Sequence, residues 1–319
     1  MNFTKTPYRI SFFGGGSDFP EWYLKNGGGE VISTTINKYV YITVRELPAY
    51  FKHKYRIVYS KIEEVKKLSD IKHSVVRECL KRSGLKCGLE IHYDGDMPSK
   101  SGMGSSSSFT VGLIKAINDF KNVKLSKEKL ASNSIDLERK ILNECGGYQD
   151  QIAVTYRGFN NIIFKDNGKI LVKPMIKDKK QIRKVNNNLV LVYTGITRNA
   201  HLISKNYVQK LNKSKKKNIY EILSHTKEAK KLFKSNNFDE VGLLLNETWK
   251  IKKGISNQIS NKKIDDIYNL SLKNGALGGK LLGAGAGGFI IFYSKSENKK
   301  KLLNFYKNKK IQTIDFKFE

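Results

Sequence analysis

Short apolar runs of strand period alternate with longer stretches of helical period along the whole chain. Tyr8, Ile10, Phe12 and Phe13 form an opening strand, which breaks at three glycines, Ser17 and Asp18. VISTTINKYVYITVRE, residues 31–46, is β-branched and aromatic and predicts one or two strands. Residues 55–59 and 89–93 predict two more, with a helix over 71–82 between them. Phe109, Leu113, Ile114, Ile117 and Phe120 then recur at helical spacing. A second helix is predicted over 126–144, capped by Ser126, with Leu130, Leu137 and Ile141 on one face. Glu138 falls at the edge of that stripe, and Gly146-Gly147 ends the helix. Strands over 161–164 and 170–172 precede residues 176–188, a charged, Asn-rich stretch that marks the best domain boundary. An apolar strand over 189–193, three helical segments across most of 201–273, and a strand over 289–293 complete the pattern.

Composition narrows the class. The 319 residues suffice for one large domain or two ordinary ones. A hydrophobic content of 39% with 16 Tyr and 16 Phe fits a folded chain. No apolar run approaches the roughly 18–20 residues of a membrane span, and the N-terminus lacks a signal-peptide layout. Cys79, Cys87 and Cys145, like the five histidines, are scattered, with neither disulfide nor zinc spacing. A cytoplasmic protein without a structural metal or membrane partner is expected. The formal charge of +30 invites a nucleic-acid reading. However, nine of the 59 basic residues are Arg, and the lysines are dispersed among abundant Asn and Ile. Nucleic-acid readers rely more on Arg forks and aromatic platforms, so no nucleic-acid partner is expected.

Three glycine clusters carry the candidate chemistry. PSKSGMGSSSSF, residues 98–109, runs into an amphipathic helix. Gly102 and Gly104 permit close backbone approach, the helix N-terminus attracts an anion, and serine hydroxyls can cap it or ligate Mg²⁺. The loop is short and lies between a proline and a strong helix, which favours a phosphate loop over a Ser/Gly linker. Asp18, beside the first cluster, could accept hydrogen bonds from sugar hydroxyls or cap the segment at Pro20. Asp150 opens an apolar run, where an acid is commonly a simple cap. Thr194, Thr197 and Arg198 share a loop after a buried strand, and Arg198 could grip a phosphate or cap a helix. GALGGKLLGAGAGG, residues 275–288, precedes a strand, so a dinucleotide fingerprint fails, and Lys280 followed by Leu281 fails a Walker loop. This cluster means tight backbone packing or a second wall of a cleft.

Together the clusters resemble the motifs of the GHMP small-molecule kinases. The first is Pro7-Tyr8-Arg9-Ile10 with GGGSD, the second PSKSGMGSSSS with Met103 for the usual Leu, and the third LLGAGAGGF. Within that superfamily the chain is most similar to the D-glycero-D-manno-heptose 7-phosphate kinases, through PYRISFFGGGSDFPEWY, LERKILNECGGYQDQIAV, the TGITR loop and GGKLLGAGAGGF. The resemblance implies an α+β GHMP kinase fold. A ribosomal-protein S5 domain 2-like N-terminal, ATP-binding domain would span 1–180, and a ferredoxin-like C-terminal domain 181–319.

It also implies roles. Asp150 takes the catalytic position, with Arg9 beside it and the attacking hydroxyl. Pro98, Ser101, Gly102, Gly104, Ser105, Ser106 and Ser107 would hold ATP, and Ser106 and Glu138 would ligate Mg²⁺. Gly15, Gly16, Ser17, Asp18, Thr194, Thr197, Arg198 and Gly285 would hold the substrate. The implied reaction phosphorylates the anomeric O1 of D-glycero-D-manno-heptose 7-phosphate to the 1,7-bisphosphate, for nucleotide-activated heptose and surface polysaccharide. A different sugar (fucose, galactose or another hexose) is the nearest alternative, and an RNA-binding S5-like protein the non-enzymatic one. A homodimer is left open.

Overall fold

A computed structural model describes residues 1–176, 178–197, 208, 211 and 214–319. The first half builds a seven-stranded sheet. Its strands are β1 (Asn2–Phe13), β2 (Gly29–Glu46), β3 (Tyr55–Val58), β4 (Ile62–Val65), β5 (Leu89–Gly95), β6 (Asn160–Phe164) and β7 (Ile170–Pro174). The order is β4-β3-β5-β2-β6-β7, with β1 also paired to β2. The predicted stretch 31–46 is thus one long strand. It takes β6 along its first residues and β5 along its last, while β1 runs antiparallel to it from Asn2↔Val44 to Phe13↔Ile32. β4 carries no apolar alternation, and only pairing with β3 makes it a strand.

The helices of this half are α1 (Pro20–Tyr23), α2 (Ser74–Ser83), α3 (Ser105–Phe120), α4 (Lys127–Ile135) and α5 (Gln149–Tyr156). The helix predicted over 126–144 stops earlier than Gly146-Gly147. After α4 the backbone widens into a π-helical turn over Asp136–Ile141, and the glycines lie beyond it. Such turns cluster at functional sites because they re-aim one side chain. Here Leu137 and Glu138 are both buried, so Glu138 points inward and not along the edge of the stripe.

The second half begins with α6 (Lys179–Asn187), which occupies the predicted boundary stretch and is capped by Asp178. Strand β8 (Leu189–Tyr193) follows, then helices α7 (Lys216–Lys234), α8 (Phe238–Lys253) and α9 (Lys262–Lys273). Strands β9 (Ala276–Leu281) and β10 (Phe289–Ser294), helix α10 (Ser296–Asn308) and strand β11 (Thr313–Ile314) close the chain. The four strands form an antiparallel sheet of order β11-β8-β10-β9.

The two halves share one interior. Residues 6–13 of β1 and 29–36 of β2 are buried without alternation, the pattern of strands covered on both faces. Helices α3 and α5 pack on this pair, and so do α7 and α8 from the later half. Phe12 of β1 lies 5.5 Å from Phe159, 6.2 Å from Phe233 of α7 and 6.1 Å from Phe318, ring centre to ring centre. These aromatic contacts join the halves over a large apolar area.

The third glycine cluster is pressed onto the second. Phe289 donates its N–H to the Ser101 carbonyl oxygen at 3.2 Å. Gly288, at φ +97°, leaves only 2.0 Å between an added Cβ and that oxygen. Thr194 fastens the same point, its N–H and Oγ1 both donating to the Gly288 carbonyl oxygen. Gly288→Ala should therefore destabilise the protein by roughly 2–5 kcal/mol, combining backbone strain with overpacking. The check is the urea midpoint, which an easily displaced loop would leave unchanged.

Candidate active site

The glycine–serine loop meets α3 at Gly104, which sits in the left-handed region at φ +74° as the residue before the helix. No side chain caps that helix, contrary to the expected serine cap. Ser108 turns back, donating to the carbonyl oxygens of Gly104 at 2.9 Å and Pro7 at 2.8 Å. The first N–H groups of α3 are thus left for a ligand, and they line a cavity of about 570 Å³ with Ser105, Ser106 and Ser107. Such a volume suits a small-molecule site.

Beside the loop, Arg9 and Asp150 form a two-pronged pair. Arg9 Nε donates to Asp150 Oδ1 at 2.7 Å and Nη2 to Oδ2 at 2.6 Å. The remaining prong, Nη1, donates to the Gly102 carbonyl oxygen at 2.7 Å, and the Arg9 N–H to that of Met103 at 3.0 Å. Gly104 makes this approach feasible, since its Cβ would stand 3.0 Å from Arg9 Cγ. The Asp150 side chain retains 24% exposure, against 4% for Arg9. The carboxylate is therefore held in orientation yet open to the cavity.

Glu138 forms the inner wall. Ser107 Oγ donates to its Oε2 at 3.0 Å, and Gln151 Nε2 donates to the same oxygen. Oε1 is buried without a well-aligned hydrogen bond, while the Thr110 hydroxyl acts on the carboxyl and opposes its upward shift. Burial pushes the carboxyl up to about 7, and Glu144 adds to the shift. Ser107 thus faces Glu138, while Ser106 is exposed on the cavity wall.

Asp18 is fully buried. Its Oδ1 accepts from the Gly16 N–H at 2.9 Å, and its Oδ2 from Gln149 Nε2 at 3.0 Å. Burial pushes its carboxyl up. The residue before α1 is Phe19, so Asp18 does not cap that helix. Instead it ties the first glycine turn to the loop that presents Asp150. Gly147 is required there, since a Cβ would fall 1.8 Å from Asp18 Oδ2.

The geometry has a match among known proteins. The family model for the GHMP kinases N terminal domain matches residues 70–158, and that for GHMP kinases C terminal matches 229–310. The chain is 30% identical to the D-glycero-alpha-D-manno-heptose 7-phosphate kinase of Campylobacter jejuni, covering 99% of this chain and 96% of that protein. It belongs to the GHMP kinases. Among solved structures, a putative sugar kinase from C. jejuni aligns with TM-score 0.74 at 28% identity, over 99% of this chain and 95% of that one. A D-glycero-D-manno-heptose 1-phosphate kinase from Bacteroides thetaiotaomicron aligns with TM-score 0.81 at 22% identity, over 100% and 96%, which speaks for the fold alone. The expected α+β fold is thus the GHMP kinase fold, and the protein is an ATP-using phosphotransferase.

This GHMP kinase brings some expected site residues to the cavity and keeps others in its frame. Arg9, Gly15, Asp18, Gly102, Gly104, Ser105, Ser106, Ser107, Glu138 and Asp150 line the cavity. Ser17 is buried and bonded to Gly14 and Glu30, and Gly16 serves Asp18 through its N–H. Ser101 is buried against Phe289, and Pro98 is exposed outside the cavity wall. Thr194 is spent on Gly288, Thr197 lies off the wall, and Gly285 packs on Ile259 while Gly283 and Ala284 face the space. Arg198 lies outside the described residues. The sequence pattern did not mark Gln149, Gln151 or Lys280. The two glutamines flank Asp150, a spacing that could have flagged them. Lys280 was hidden inside a strand whose glycines drew attention elsewhere.

Lys280 is buried in the cavity wall, and burial pushes its ammonium down to about 7 from an ordinary 10.5, with Arg9 adding and Asp18 opposing. Between those values the unfolded chain binds more protons than the folded one, so stability rises with pH. Between pH 7 and 10.5, wild-type stability should gain on Lys280→Met by up to about 1.4 kcal/mol per pH unit. Parallel curves from denaturant titrations would contradict this.

Proposed function

We propose that this kinase transfers the γ-phosphoryl group of ATP to the anomeric hydroxyl of D-glycero-D-manno-heptose 7-phosphate. The observation that carries a kinase mechanism is the Arg9–Asp150 fork, open to the cavity directly beneath an uncapped helix N-terminus. Phosphoryl transfer is mainly positioning and charge neutralisation, and this arrangement supplies both. The α3 N–H groups and loop backbone receive the phosphates, while Asp150 orients the acceptor hydroxyl or takes its proton. Arg9 fixes the carboxylate. The choice of heptose 7-phosphate rests on the named activity of the C. jejuni relative.

Glu138 and Ser106 are the residues that would hold Mg²⁺. The buried Oε1 of Glu138, without a well-aligned hydrogen bond, fits a hard cation, and Ser106 Oγ stands on the same wall. When bound, the cation neutralises charge on the phosphate oxygens. Ser107, already on Glu138, would orient that carboxylate. Arg198 would hold the 7-phosphate, with Thr194 and Thr197 as part of the same loop. Residues 1–180 would form the ATP-binding domain and 181–319 the C-terminal one, in a cytoplasmic protein.

An ATP-consumption screen across sugars and sugar phosphates tests the reading. Heptose 7-phosphate should be preferred over free heptose by about 10- to 150-fold, the value of one charged hydrogen-bonding partner. Arg198→Ala should erase much of that preference, whereas equal use of both sugars by the wild type would sink the assignment. Asp150→Asn should lower kcat by at least ~10²-fold with ATP affinity nearly unchanged. Glu138→Gln and Ser106→Ala should each raise the Mg²⁺ concentration needed for half-maximal rate, since each removes an oxygen ligand. Wild-type Mg²⁺ titrations in both variants would remove the metal assignment.

A further inference from the structure

The cavity contains a buried lysine with no carboxylate in ion-pair contact among the described residues. Lys280 belongs to β9 of the second sheet, yet it reaches across to the first, its Nζ donating to the Phe12 carbonyl oxygen at 2.9 Å. It is 4% exposed and forms part of the cavity wall. The arginines of the same wall are paired, Arg9 with Asp150 and Arg139 with Glu21. Lys280 makes no such ion pair among the described residues. The charged groups that act on it are Arg9 of β1 and Asp18 just beyond that strand. An ammonium has three donors, and the Phe12 oxygen takes one.

Burying a cation without a partner is costly, so such a group gains most when an anion arrives beside it. That cost shows in the downward push on its proton affinity. Its neighbours also locate it. Arg9 holds Asp150, where transfer takes place, and Asp18 closes the turn next to it. We propose that Lys280 is a receptor for phosphate oxygens at the reacting end of the cavity, its remaining donors binding an incoming phosphate group. The group is the phosphoryl in transfer, the 7-phosphate being left to the Arg198 loop. The proposal rests on the kinase reading above. The competing role is a structural pin between β9 and β1.

The test compares wild type, Lys280→Met and Lys280→Ala on whichever sugar the wild type phosphorylates, so a wrong heptose assignment does not affect it. Lys280→Met should lower kcat/KM for the sugar by about 10- to 150-fold while KM for ATP changes little. An equal loss on free heptose and heptose 7-phosphate assigns the contact to the phosphoryl in transfer. A loss confined to the 7-phosphate would overturn the placement of Lys280 at the reacting end. Ethylammonium should restore Lys280→Ala, and ethanol of similar size should not. Wild-type kinetics in folded Lys280→Met, or equal rescue by ethanol, would leave only the pin. Should the variants not fold, lysine-labelled wild type supplies the readout. The Cε signal that titrates near neutral pH should move to its charged position when the phosphorylated sugar product binds, and a mere pin would leave it in place.

Discussion

The Arg9–Asp150 fork is the constraint to which the rest of the site is fitted. Two charge-assisted hydrogen bonds fix the carboxylate plane, and the third prong of the guanidinium grips the glycine–serine loop at Gly102. One side chain therefore registers the Asp150 carboxylate against the start of α3. Lysine could not do this, because a point charge lacks the planar fork. The arrangement dictates its surroundings. β1 must deliver Arg9 from a strand buried on both faces, and α5 must begin one residue before Asp150. Gly104 must lack a side chain where loop and fork touch.

Around the fork, backbone contacts replace side-chain ones. Asp18 welds the first glycine turn to the residues before Asp150, and Gly288 lays the third cluster on Ser101. Each weld joins segments far apart in sequence. The cavity lies where these segments converge, so a shift in one wall displaces the others. Rigid packing of this kind holds reacting groups near productive geometry.

The legible parts of the sequence were those governed by local rules. Period-two alternation marked β2, and helical spacing marked α3. The glycine–serine loop was legible as the lead-in to α3 because its glycines and its helix lie together in the chain. The π-helical turn was not, since apolar spacing at Leu130, Leu137 and Ile141 fits an ordinary helix equally well. Only tertiary burial turns Glu138 inward. β4 was invisible for the opposite reason, because Ile62, Glu63 and Glu64 gain their strand from β3 and from no pattern of their own. That Ser107 is the hydroxyl facing Glu138 was not legible, as the helix start decides it. That start is set by the Gly104 conformation, which no side-chain pattern encodes.

Charge is the last level to arrange. The formal +30 is spread over lysines on the surface, where screening within about 8–10 Å leaves a diffuse attraction for anions. Inside the cavity the bookkeeping is different. Arg9 is matched by Asp150 and Arg139 by Glu21, which leaves their fields largely cancelled at a distance. Asp18 is buried there without an ion pair among the described residues. So are Glu138 and Lys280, and burial pushes both toward neutrality, each to about 7. They lie on different walls, one on the first half beside the phosphate loop and one on the second. Burial thus gives the cavity two walls of opposite electrostatic demand.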